Sequence, residues 1–281
     1  MRSVALRVAL PRLGAFEENV KFRQSALKLY RARHHAHEVS VAWEGIVEQH
    51  FQAATGKAVD LPYAVDQFLL QPPIPINIPL AIGDCIRNLR SALDYLVSEM
   101  ARAAGLSDNN TIFPFTSDLP NLKSSFKEPR AGDKHRKPKR AGALYDLSRK
   151  YPGLEELILE RIQPYSATNG AHAIGDTLWR VITSDNVDKH RLMTPVVSRN
   201  KADNIITIGG GRISGGGTLV GNVFSFPPGT KIDEKSDFSV DISFEEPANL
   251  AGKPVTRTLI EGCEAVAKVI EIFRDEIALP S

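Results

Sequence analysis

The most chemically loaded stretch of the chain is GDCIRNLRSALDYL at 83–96. Asp84, Arg87, Asn88, Ser91, Asp94 and Tyr95 are all strong hydrogen-bonding groups, and Arg90 adds a second guanidinium. Arginines hold phosphate or carboxylate oxygens in a planar fork, and short acids beside them fix the fork's direction. A second loaded stretch, SDNVDKHRLM at 184–193, brings Asp185, Asp188, Lys189, His190 and Arg191 together. His190 is its one group that titrates near neutral pH, so proton transfer falls to it. Arg87 and Arg90 then become phosphate ligands, with Asp94 and Asp188 orienting the basic groups.

The same residues admit other readings. The 83–96 face could be ordinary solvated surface, with Arg90 and Asp94 as an i,i+4 pair worth only about 0.3 kcal/mol. It could also meet 185–191 in an internal polar network that locks the fold, leaving a non-catalytic binding or assembly module. A third reading is a metal-dependent hydrolase on Asp84, Asp185, Asp188 and His190, although that spacing matches no standard ligand set. What argues against plain surface is residue choice. Gly83, Asn88, Ser91 and Asp94 are poor helix formers, where Lys, Glu or Gln would serve solvent better.

The element that must present this face is a helix over about 79–104. Advancing about 100° per residue from Ile82 puts Ile86, Leu89, Leu93, Leu96 and Met100 within about 40° of it. Asp84, Arg87, Asn88, Ser91, Asp94 and Tyr95 fall on the opposite side, and Arg90 lies between the two faces. QPPIPINIP at 71–79 reads as a stiff polyproline lead-in, with Asn77 and Pro79 as a helix start and Gly105 as its stop. Residues 15–56 read as two helices or one broken one, and 59–71 as extended. TIFPF at 111–115 is short and aromatic. Helical patterns return at 143–161, broken at Pro152, and at 171–190, with IQPY at 162–165 between them. Residues 191–246 read as a β-meander with candidate strands LMTPVV, NIITIGG, TLVGNVFSF and DFSVDISFEE. A last helix over 255–277 carries Leu259, Cys263, Val266, Ile270, Phe273 and Ile277 on one stripe.

This order argues for an α+β fold in a single domain over 1–281. Its helical part runs 15–190 as a bundle, a small antiparallel sheet follows, and the C-terminal helix packs back on it. Three further features have plain explanations. HHAH at 34–37, with Glu38, suits a surface helix. GGGRISGGG at 209–217 lacks the GK[ST] and following helix of a phosphate loop and reads as a hairpin turn. Residues 127–142 hold seven Lys/Arg against two acids and read as a basic loop that can contact phosphates.

The 281 residues are 42% hydrophobic and 24% charged, with net charge +2, so no global field points to nucleic acid or membrane. Cys85 and Cys263 form no CxxC, which suits a reducing compartment and excludes a disulfide framework. No apolar run reaches the roughly 20 residues of a bilayer span. The start, MRSVALRVALPRLGAF, is interrupted by Arg7 and reads as a mature terminus, so a cytoplasmic location and no membrane partner are expected. No reading calls for an organic cofactor or a bound metal, the hydrolase alternative apart.

GDCIRNLRSALDYL, FPF, QPY and NVDKHRLM, in that order and spacing, resemble a family of bacterial and phage proteins of unknown function. Their shared core is GDxxxNLRSALDH followed by FP, QPY and DKHR, and the resemblance covers about 70–195. The family's R-x4-H on a helix is in turn similar to the HEPN superfamily of up-down helical bundles, many of them metal-independent ribonucleases acting as dimers. That resemblance implies RNA as partner, a homodimer, Arg90 as the charge-stabilising arginine and a general base five residues later. Here that position is Tyr95, whose ordinary pKa of about 10 makes a poor base at neutral pH. His190 is then the substitute base.

Overall fold

The computed structural model of the chain describes residues 21–55, 74–109, 111–128, 138–188, 195–197, 206–208, 211–213, 218–220, 223–225 and 242–279. For 47–55, 138–142, 188, 196–197 and the strands between 206 and 225 it describes the backbone alone. The described part is a mostly helical bundle. Its seven α-helices are α1 (Arg23–Thr55), α2 (Asn77–Ala103), α3 (Leu119–Ser124), α4 (Pro138–Lys150), α5 (Leu154–Glu156), α6 (Ala173–Asp188) and α7 (Val255–Glu276). A π-helical turn over Leu157–Ile162 continues α5.

Helix α2 is central because its apolar stripe is unbroken. Ile82, Ile86, Leu89, Leu93, Leu96 and Met100 are each at most 1% exposed. Burying side chains of this size stabilises by roughly 1.5–3 kcal/mol each. The helix stops at Gly105, whose φ of +68° only glycine adopts without strain. There the Leu106 N–H donates back to the Ala101 carbonyl at 2.9 Å. The C-terminal helix α7 packs on α1, α2 and α6. Its expected stripe is buried throughout, with Leu259, Cys263, Val266, Ile270, Phe273 and Ile277 each at most 3% exposed. Cys85 on α2 and Cys263 on α7 are free and buried. The Cys263 hydrogen bond, together with burial, holds the Cys85 thiol well above its ordinary range.

Three expectations need correction. Of the stretch 15–56, expected as two helices or one broken one, residues 23–55 form one unbroken helix of 33 residues, α1. Leu29, Ala32, Ala36, Val39 and Trp43 step by three and four and keep one buried stripe running along it. The basic loop is shorter than 127–142, because α4 begins at Pro138, a residue suited to a first helical position. The single small sheet expected over 191–246 is not shown among the described residues. They hold three separate antiparallel pairs of three-residue strands: β1 (Pro195–Val197) with β6 (Ile242–Phe244), β2 (Ile206–Ile208) with β3 (Gly211–Ile213), and β4 (Thr218–Val220) with β5 (Val223–Ser225). TLVGNVFSF therefore divides into two strands. The register Val220↔Val223 leaves only Gly221 and Asn222 between them, a dipeptide suited to a two-residue hairpin. Likewise Ile208↔Gly211 places the start of RIS in a strand rather than in a turn. The extended reading of 59–71 lies outside the described residues, as do residues 71–73 of the polyproline lead-in.

No helix among the described residues is long and apolar enough to cross a membrane.

Candidate functional site

Arg90 sits on the flank of α2, between its apolar and polar faces, and the chain at 113–115 crosses directly over it. The Arg90 Nε donates to Asp94 Oδ2 at 2.9 Å, and Nη2 lies 2.9 Å from Asp94 Oδ1, a two-point fork. Nη2 also reaches the Phe113 carbonyl at 3.5 Å, and the guanidinium stands 4.7 Å from the centroid of the Phe115 ring. Asp94 Oδ1 accepts the Phe113 N–H at 2.8 Å. Arg90 is only 8% exposed. The pair is thus no solvated i,i+4 bridge. It is a clasp that fastens FPF to α2. Arg90 Nη1 is buried without a hydrogen-bond partner among the described residues.

Asp185, 1% exposed on α6, faces the same cluster. Burial pushes the Asp94 carboxyl above its ordinary value. Arg90 and the Phe113 N–H oppose the rise, and the Asp185 charge adds to it. Of the 185–191 segment expected to meet the α2 polar face, Asp185 comes within electrostatic reach of Asp94. Asp188 closes α6, and its side chain, together with Lys189, His190 and Arg191, lies outside the described residues.

The other segments of the motif set continue this scaffold. The Thr116 N–H donates to the Pro164 carbonyl at 3.3 Å, joining FPF to QPY. Gln163 adopts φ +53° after the π-helical turn, and its Oε1 accepts the His172 N–H at 3.0 Å. Gly175 in α6 lies against the Gln163 backbone carbonyl so closely that any Cβ would overlap it. NLRSALD, FPF and QPY thus form one contiguous support beneath α6.

The opposite flank of the α2 polar face is open. The Ser25 hydroxyl donates to the Ala92 carbonyl at 2.7 Å, and the Cys85 thiol meets the backbone of Ala36. Helices α1 and α2 are therefore antiparallel. Glu99 of α2 caps α1 by accepting the Gln24 and Ser25 N–H groups at 3.1 and 3.3 Å. Between the helices runs a groove of about 590 Å³. From α1 it is lined by Gln24, Leu27, Lys28, Arg31 and His35, and from α2 by Asp84, Asn88 and Tyr95. Lys28 Nζ stands 5.8 Å from the centroid of the Tyr95 ring. Among the described residues, Arg31 and Asp84 have no ion-pair partner. Asn88 donates an amide N–H to the Asp84 carbonyl at 2.7 Å, leaving its Oδ1 as an acceptor.

Of the residues expected in a site, the structure brings Arg90, Asp94 and Asp185 into the clasp, and Asp84, Asn88 and Tyr95 into the groove. Arg87 is exposed and Ser91 half-buried. Of the hydrolase set, Asp84 lines the groove and Asp185 lies in the buried cluster, while the Asp188 and His190 side chains lie outside the described residues. The described residues hold no group of three or more His, Cys, Asp or Glu placed for a metal ion. His34 and His35 both reach Glu38, at 3.3 and 2.7 Å. Reading the sequence missed Lys28 and Arg31. Their signal was present, because residues 21–37 hold five Lys/Arg and three His with no acid. Comparison with protein-family models, curated proteins and solved structures finds no match to this chain.

Proposed function

We propose that this chain is a nucleic-acid-binding protein on a HEPN-like helical bundle, with the α1–α2 groove as its ligand face and the NLRSALD–FPF contact as an internal clasp. The observation that carries this reading is the division of cations around α2. Arg90 is held inside by Asp94 and Phe113, whereas Lys28 and Arg31 line an open groove beside an aromatic ring. Cations that follow a groove and a ring that can stack a base are the parts a single strand needs. With a net charge of only +2, the attraction is local to this face. A cytoplasmic, bacterial or phage setting, pairing of two copies and a small sheet formed by 191–246 belong to the same reading.

Fluorescence anisotropy of a labelled single-stranded oligonucleotide tests it. Binding is expected to weaken steeply with salt and to fall by about tenfold or more in Lys28→Ala/Arg31→Ala. No binding at low salt would sink the proposal.

A second reading, metal-independent RNA cleavage by Arg90 and His190, is favoured by one observation. The unpartnered Arg90 Nη1 lies in the cluster with Asp185, on the helix that runs out just before His190. RNA incubated in EDTA decides it. Cleavage that disappears in His190→Ala would establish this reading, and intact RNA after binding would remove it.

A further inference from the structure

Cysteine occurs at two of the 281 positions, and the fold brings the two side chains together. Cys85 comes from α2 and Cys263 from α7. They are 0% and 2% exposed, and their thiols hydrogen-bond one another across the core. As packing units, two thiols do little that other small apolar side chains would not do. What a facing pair adds is the ability to become one bond. The backbones permit it. Gly262 stands beside Cys263 on α7, and a Cβ there would lie 3.1 Å from Leu89 Cδ1, one turn after Cys85 on α2. The two helices therefore run close at this level. A disulfide needs that closeness, since its Cα atoms lie within about 7 Å of each other. Both cysteines are free here, the state that a reducing compartment maintains.

We infer that Cys85 and Cys263 are a redox-active pair, which hydrogen peroxide converts to a disulfide that fastens α2 to α7 within the folded chain. Cys263 reacts first, because the Cys85 thiol is held in its protonated form and the thiolate is the nucleophile. The Cys263 sulfur attacks one peroxide oxygen, the O–O bond breaks, and the released hydroxide leaves as water with the Cys263 proton. Cys263 is then a sulfenic acid. The Cys85 sulfur attacks the Cys263 sulfur, the S–O bond breaks, and the second hydroxide leaves as water with the Cys85 proton. Two thiols and one peroxide thus give one disulfide and two waters. Burial makes the first step slow, because peroxide must reach the core. It also favours the second step, since Cys85 already touches the sulfenic acid while another peroxide must enter from outside. An added thiol reverses the bond by exchange.

The test incubates the full chain with hydrogen peroxide well below its melting temperature, then unfolds, alkylates and digests it without reductant. Mass spectrometry is expected to find one peptide pair linking Cys85 to Cys263, with both free thiols lost together and both restored by dithiothreitol. The bond closes a loop of most of the chain, so the oxidised protein should melt about 5 °C or more above the reduced one. Cys85→Ala removes the resolving thiol, and its Cys263 should stop at a sulfenic acid that dimedone labels. Two alkylated thiols after prolonged exposure would overturn the inference. So would Cys263 carried on to sulfinic acid beside a free Cys85, links formed between chains alone, or a linked chain that melts below the reduced one.

Discussion

On one flank of α2, Arg90 and Asp94 are drawn out of water against Phe113, Phe115 and Asp185. On the other, Asp84, Asn88 and Tyr95 stay open to a groove shared with Lys28, Arg31 and His35. The residue types are alike, and what separates them is the partner element laid over each flank. The 113–115 chain supplies backbone groups that consume the Arg90 fork, whereas α1 supplies charged side chains that leave room between the helices. A polar helix face can thus be half structure and half ligand site, divided by less than a turn of rotation.

The comparison can be broken from the clasp side first. Arg90→Ala strands the Asp94 carboxylate and is expected to cost about 3 kcal/mol, moderated because Asp94 keeps some contact with solvent. That corresponds to about 10 °C in Tm, read by circular dichroism. Arg90→Gln/Asp94→Asn keeps an acceptor for the Phe113 N–H and strands no charge, so its urea midpoint should recover at least half of the loss. A melting temperature for Arg90→Ala equal to the parent's would dissolve the distinction between the flanks.

Ser25→Ala removes the hydroxyl that ties α1 to Ala92 behind the groove, and about 1 kcal/mol of stability should go with it in chemical denaturation. The clasp should also respond to acid. Because burial raises the Asp94 pKa in the folded state, the native state binds more protons than the unfolded chain over that interval. The stability that Asp94 contributes is therefore fully present below its unfolded value of about 4 and is lost as pH rises through the raised folded value. The stability difference between parent and Asp94→Asn, followed by urea titration across this range, should shift against the parent as pH rises. A difference independent of pH would show that Asp94 titrates as it does in the unfolded chain. Smallest of all, Lys28→Ala and Arg31→Ala should each change stability by less than about 0.5 kcal/mol, since neither cation is tied into an ion pair among the described residues. A larger loss would make the groove flank structural as well.

Much of this arrangement was legible in the sequence, and the reasons are specific. The α2 and α7 stripes were readable because long helices repeat their apolar residues at a period that only one geometry satisfies. Arg90 fell between the two faces of α2, the position from which a side chain can be covered by a crossing segment. What covers it was not readable, because the clasp depends on the Phe113 backbone N–H and carbonyl, which every residue type carries alike. The groove was hidden for another reason. HHAH carries a metal-like pattern, whereas Lys28 and Arg31, about one turn apart, belong to no motif, and only the antiparallel packing of α1 on α2 gives them a shared groove. TLVGNVFSF read as one strand because its alternation continues across Gly221 and Asn222, although that dipeptide suits a hairpin.

The most direct test of the division between the flanks is the single-stranded RNA affinity of Arg90→Gln/Asp94→Asn, measured well below its melting temperature. If the clasp is internal and the groove holds the ligand, affinity should stay within about twofold of the parent. A variant that is folded by circular dichroism yet binds about tenfold more weakly would place Arg90 and Asp94 against the ligand and contradict the assignment.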